Sequence, residues 1–175
     1  MRTRTTWIHL RNDRRRRSSK LERPQHDYPL EFCLHRPAGL SGICAVPVVR
    51  EELERGVDDH PYLQSALDIL DDEIPVVTIS DTVANREAVV SSHLDPGEAQ
   101  AFAVADAHDG RLLTDDGDAR SFAKDQGVTV VGSVGVLLAA IDSEKIDEAT
   151  ADKSLSTWID EIGYYVPYRT ISKYR

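Results

Sequence analysis

DPGEAQAFAVADAHDGRLLTDDGDARSFAKDQGVTVVGSVGVLL, residues 95–138, is the stretch whose reading decides the fold. Asp95-Pro96-Gly97-Glu98 sets a capping Asp, a helix-opening Pro and a back-reaching Glu in front of a helix that runs to His108 and closes at Gly110. Leu112-Leu113-Thr114 is a short strand, and Asp118 to Gln126 a second helix followed by Gly127. Val128 to Val131 is the next strand and Val134 to Ser143 the next helix. Strands alternating with helices at this spacing predict an α/β fold, with a central parallel sheet covered by helices on both faces as an α/β/α sandwich.

The flanking sequence keeps the same pattern. Ile43-Cys44-Ala45-Val46 reads as a buried strand stopped by Pro47, and Val48 to Arg55 as a helix ending at Gly56. Pro61 opens a helix with Leu63, Ala66, Leu67 and Leu70 on one face. Pro75 to Ser80 is rich in β-branched residues and predicts a strand, and Thr82 to Ser92 a helix. Asp147 to Ile162 is a last long helix, with Leu155, Trp158, Ile159 and Ile162 as its apolar stripe. No internal repeat is visible.

With 175 residues the chain is expected to form one domain, and the net charge of −9 hides a sharp division. Residues 1–23 carry nine bases against two acids; residues 24–175 carry twelve against twenty-eight. A globally basic nucleic-acid binder is excluded. Arg14-Arg15-Arg16-Arg17-Ser18-Ser19-Lys20 has no apolar period, so residues 1–26 are expected to be a basic, unstructured arm ahead of a domain over 27–175. Such an arm either stays solvated or helps to hold phosphates. The acidic, Lys-poor remainder matches a halophilic protein, although the Arg excess equally fits genome base composition. Cys33 and Cys44 are too few for a disulfide framework or a structural zinc site. No apolar run approaches a membrane span, and Trp7-Ile8-His9-Leu10 is too short for a signal peptide, which predicts a cytoplasmic protein without membrane contact.

In an open α/β sheet, ligands bind at the rim shared by strand C-termini and helix N-termini. Three acidic groups fall there: Glu51 and Glu52, then Glu98, then Asp115, Asp116 and Asp118. Each also has a structural role open to it. Glu98 completes a capping box, Asp115 and Asp116 can cap the following helix, and Glu51 and Glu52 can be a solvated helix face. Taken together, carboxylates crowded on one rim repel one another unless a cation sits among them, and all-oxygen donors favour Mg²⁺ or Mn²⁺. Gly132-Ser133-Val134-Gly135 lacks the third glycine of a dinucleotide fingerprint and the P-loop lysine, and reads as a tight turn. The histidines show no metal-ligand spacing, and no Gly-x-Ser-x-Gly elbow occurs.

Asp95-Pro96-Gly97-Glu98-Ala99-Gln100-Ala101, Leu112-Leu113-Thr114-Asp115-Asp116-Gly117-Asp118-Ala119-Arg120 and Gly132-Ser133-Val134-Gly135-Val136-Leu137-Leu138, in this order, resemble the PIN domain. The likeness is to prokaryotic PIN-like nucleic-acid-binding proteins related to VapC-type toxin ribonucleases. It covers about residues 43–172, with Val46-Pro47 and Glu51-Glu52-Leu53 like the family's second block and Gly163-Tyr164-Tyr165 like its end. The resemblance implies a metal-dependent ribonuclease holding Mg²⁺ or Mn²⁺ on three or four acids. Carried over, Glu52 (or Glu51) matches the second-block acid, Glu98 the third, and Asp116 with Asp115 the fourth. It also implies RNA as substrate, with room for an antitoxin-type protein partner and for a homodimer. The chain departs from the family at its start. Where the family has an apolar strand ending in Asp, Thr5 to Leu10 leads into the arginine run, and the nearest match to that first acid is Asp27 in Asp27-Tyr28-Pro29-Leu30. A PIN-like protein that binds RNA or a partner without cleavage is the competing reading. A small phosphotransfer domain ranks last, for want of an Asp-x-Asp pair.

Overall fold

The computed structural model describes residues 6–9 and 43–175. Its strands are β1 (Thr6–His9), β2 (Ile43–Cys44), β3 (Arg111–Thr114) and β4 (Thr129–Val131). The helices are α1 (Pro47–Gly56), α2 (Leu63–Asp72), α3 (Asp81–Val90), α4 (Pro96–Ala107), α5 (Gly117–Asp125), α6 (Ser133–Asp142) and α7 (Glu148–Ile162), followed by a 3₁₀ turn at Ile171–Tyr174. The fold is α/β, as the alternation of patterns predicts.

Strand direction departs from expectation. The sheet order is β2-β1-β3-β4, and only β3 and β4 pair in parallel within it. β1 lies between β2 and β3 and runs antiparallel to both, with Thr6 opposite Thr114 and His9 opposite Arg111. The sheet is therefore mixed rather than wholly parallel. Thr6–His9, four residues of the expected arm, supply a strand between β2 and β3; the Arg14–Arg17 run and the rest of the arm lie outside the described residues. The arginine-rich composition of the arm masks a β-compatible tetrapeptide within it. Pro75 to Ser80 yields only a parallel bridge between Val76 and Ala45, fastened by Ala45 N–H to Pro75 O and Val77 N–H to Ala45 O. Beyond Val77 the chain turns into α3, whose cap is Ser80.

The core is built around α4. Every residue from Gly97 to Ala105 is buried, including Ala99, Ala101, Phe102, Ala103 and Val104, so this helix has no solvated face to alternate with an apolar one. Its lone central polar residue, Gln100, is satisfied on both ends. The side-chain carbonyl accepts from Val48 N–H at 3.0 Å, and the amide donates to Glu87 at 3.1 Å. Val46 gives α1 no side-chain cap, so Gln100 supplies an acceptor for the first turn of α1 from another helix. That bond fixes α1 against α4. The α2 face read from the sequence is buried as expected at Leu63, Ala66, Leu67 and Leu70. A second, smaller core gathers Leu137, Ala151, Leu155, Trp158 and Ile171 beneath α7.

Candidate functional site

The turn after α4 creates the rim. Asp109 adopts a left-handed backbone (φ 52°), Gly110 N–H closes on Ala105 O at 2.7 Å, and the chain reverses into β3. The start of α4 and the end of β3 consequently lie at the same edge of the sheet.

At the start of α4 sit Glu52 and Glu98. Glu98 is 4% exposed, and its Oε2 accepts from Asp95 N–H at 3.4 Å while the Asp95 carboxylate caps the third residue of the helix. The capping-box role read from sequence is thus real. Glu52, on the fifth residue past Pro47, points across to the same turn: it accepts from Gly97 N–H, and a Cβ at residue 97 would lie 3.0 Å from its Oε2. Glycine leaves room there for the carboxylate, which a side chain at 97 would push aside by a few tenths of an ångström. Burial pushes the Glu52 carboxyl above its ordinary pKa, opposed by Arg55, reinforced by the negative charge of Asp95, and opposed again by the Gly97 N–H. Glu51 is exposed, and of the two adjacent acids it is Glu52 that faces α4.

At the end of β3 the two aspartates divide their work. Asp116 Oδ1 accepts from the N–H groups of Asp118 and Ala119, both at 2.9 Å, as the cap of α5, and Asp116 N–H donates to Thr114 Oγ1 at 3.0 Å. Asp115 reaches sideways. It accepts from Ser133 N–H at 2.9 Å, from the Ser133 hydroxyl, and from the Tyr164 hydroxyl at 3.1 Å. A Cβ on Gly132 would come within 2.7 Å of Asp115 Oδ1 and collide with the Arg120 guanidinium, so this glycine admits both side chains. Asp115 therefore fastens the first turn of α6 and the C-terminal segment to β3. Ser133, Tyr164 and Arg120 were not singled out by sequence reasoning as neighbours of Asp115. The available signal was that β3 and β4 are parallel neighbours, which sets the residue after β3 beside the first turn of the helix after β4.

A PIN-domain family model matches residues 40–175, more than three quarters of the chain. The chain belongs to the PIN-domain family. The PIN domain is a nuclease-type fold, and the matched span holds Glu52, Glu98, Asp115 and Asp116. No curated protein and no solved structure matches the chain.

The structure joins these four residues in two pairs, Glu52 with Glu98 at the start of α4 and Asp115 with Asp116 at the end of β3. Among the described residues, no three His, Cys, Asp or Glu side chains gather closely enough to hold one metal ion. Asp27, the nearest sequence match to the PIN first acid, lies outside the described residues. The strand in the central slot offers no substitute, because antiparallel β1 ends at His9, opposite Arg111 and away from Asp115. No described helix is long and apolar enough to cross a membrane.

Proposed function

We propose that this PIN domain is a metal-dependent ribonuclease of α/β/α sandwich type, with Glu52, Glu98, Asp115 and Asp116 forming its acidic rim. The observation that carries this reading is Glu52. Its carboxylate is half-buried against the start of α4, beside Asp95, with its proton affinity raised by that burial. An anion so placed is one that a bound cation would stabilise. In kind, the donors fit a hard divalent ion, since all four are carboxylates. In number, two pairs leave the site in need of a further ligand, and Asp27 is the candidate in this chain.

When bound, Mg²⁺ or Mn²⁺ supplies charge for the phosphate and lowers the pKa of a bound water. The chain's own contribution is orientation and field. The capping box holds Glu98 in one rotamer on a buried helix, and Gly97 N–H holds Glu52. Asp116 is tied through Oδ1 by two backbone donors of α5, which fixes the orientation of its carboxylate. Arg120, beside Gly132 and within 3.5 Å of Thr114 O, places a positive charge next to the aspartates, where a phosphate approaching an acidic rim needs one. An antitoxin-type protein or a second copy of the chain fits the family as a partner, and RNA as the substrate.

A second reading, binding of RNA or a protein without cleavage, is favoured by one observation: β1 presents no acid at the rim, and the described carboxylates do not form a triad. Cleavage of single-stranded RNA with Mn²⁺, across a salt series, separates the two. Residues 24–175 repel the RNA backbone, and screening relieves that repulsion, so cutting is expected to survive molar salt and to stop in excess chelator. Undiminished cutting by Glu98→Gln or Asp116→Asn, or cutting in chelator, refutes the metal mechanism. No cutting by the wild type at any salt, with RNA still bound, favours the binding-only reading.

A further inference from the structure

The most basic, most aromatic segment of the described chain is its C-terminus. Residues 163–175, GYYVPYRTISKYR, hold four of the six tyrosines together with Arg169, Lys173 and Arg175, and no acid. The 139 residues before them, 24–162, carry nine bases against twenty-eight acids. A positive, tyrosine-rich strip on an acidic body has no need to exist for solubility.

Packing accounts for some of these tyrosines and not for others. Tyr164 stands edge-on to Trp158, with ring centroids 5.7 Å apart, and its hydroxyl donates to Asp115. Val166 packs on the second core, and Ile171 is fully buried, with its N–H bonded to Asp152 at 2.6 Å. Tyr174 clamps the backbone of Tyr168, its hydroxyl bonded to both Tyr168 N–H and Tyr168 O at 3.0 Å. The segment is thereby held at several points. Between the inward Tyr164 and Val166, Tyr165 is turned outward and is 89% exposed; Tyr168, whose ring stands edge-on to Tyr174 with centroids 5.5 Å apart, is 50% exposed. An ordered backbone that presents aromatic rings to water is the arrangement on which bases stack, at little entropic cost on binding. Two residues, Val166 and Pro167, lie between Tyr165 and Tyr168, so their Cα atoms are no more than about 11 Å apart.

We propose that residues 163–175 form a docking platform for single-stranded RNA, with Tyr165 and Tyr168 stacking on bases and Lys173 meeting phosphate. The inference rests on the RNA reading of the acidic rim and adds a path for the strand. The Tyr164–Asp115 bond ties the platform to that rim, so RNA held on Tyr165 is delivered beside Asp115 and Asp116. Positive charge suits an acidic protein as well as nucleic acid; the outward rings of Tyr165 and Tyr168, on which bases stack, are what point to RNA. Arg169 pairs with Asp160, and Arg175 with Asp142 and Glu148, on the surface. Exposed pairs of this kind are weak and exchange readily for phosphate.

The test is fluorescence anisotropy of full-length protein with labelled oligouridine of about twelve nucleotides, within the span that such sites occupy, in excess chelator so that no strand is cut. Tyr165 is almost wholly exposed, so its replacement leaves folding intact. Loss of one stacked base weakens binding about tenfold in Tyr165→Ala. Tyr165→Trp restores it, and Lys173→Ala lowers affinity at low salt only. Unchanged affinity in Tyr165→Ala, failure of the Trp rescue, or a change in self-association by sedimentation in place of a change in RNA affinity overturns the proposal. Because binding is read without metal, an inactive enzyme that still shows Tyr165-dependent binding refutes the nuclease alone. An active enzyme whose affinity ignores Tyr165 refutes the platform alone.

Discussion

Replacing Glu98 with Gln separates its role as a cap from its role as a ligand. The wild-type side chain is 4% exposed and accepts from Asp95 N–H at 3.4 Å, a bond that the amide oxygen of Gln makes equally well. The cap is therefore kept, while a buried negative charge is removed, so in chelator the variant is expected to be as stable as the wild type or more so. Glu98→Ala, by contrast, loses the cap and about 1 kcal/mol with it. With metal the order reverses. At a free Mn²⁺ concentration of a hundred times its dissociation constant, the wild type gains about 2.7 kcal/mol. For a domain of this size that raises Tm by roughly 5–11 °C. Glu98→Gln is expected to gain almost nothing. Thermal unfolding followed by circular dichroism, with Mn²⁺ and with chelator, gives all four values. Equal metal-induced shifts in both proteins would show that Glu98 is a cap and no more, and the ligand argument would fail.

Glu52 makes stability depend on pH. Its folded pKa is raised, so the stability it contributes is present below the ordinary Glu range and is lost as pH rises through the higher folded value. Glu52→Gln is accordingly expected to be more stable than wild type at neutral pH and to converge on it in acid, as read from urea midpoints; a pH-independent gap would exclude burial as the cause. Asp116→Ala removes the acceptor for two N–H groups of α5 and is expected to cost about 1 kcal/mol, with Asn recovering most of it in the same urea assay. Tyr164→Phe and Asp115→Ala should be coupled by about 0.5–1.5 kcal/mol in a double-mutant cycle, because they share one hydrogen bond; additive losses would mean the bond contributes nothing.

Helix limits, caps and the acidic candidates are written in consecutive residues, and the sequence alone determined them. Asp95, Pro96 and Glu98 announce α4 within four positions, Asp116 announces α5, and the spacing of Leu63, Ala66, Leu67 and Leu70 names the buried face of α2. Each of these signals acts over one or two helical turns, so no distant residue is needed to read it. Three things were decided only when the chain closed on itself. Thr6–His9 found its partners more than a hundred residues away in β3, in a direction that no local pattern encodes, and composition had assigned it to an unstructured arm. Gln100, in the middle of α4, supplies an acceptor to the first turn of α1; Asp115, read as a cap or a ligand, is a three-way tie among β3, α6 and Tyr164. The physical reason is common to all three. Backbone donors left over at helix starts and strand edges must be satisfied by whatever acceptor packing brings near, and that neighbour is chosen by the tertiary arrangement, not by sequence proximity.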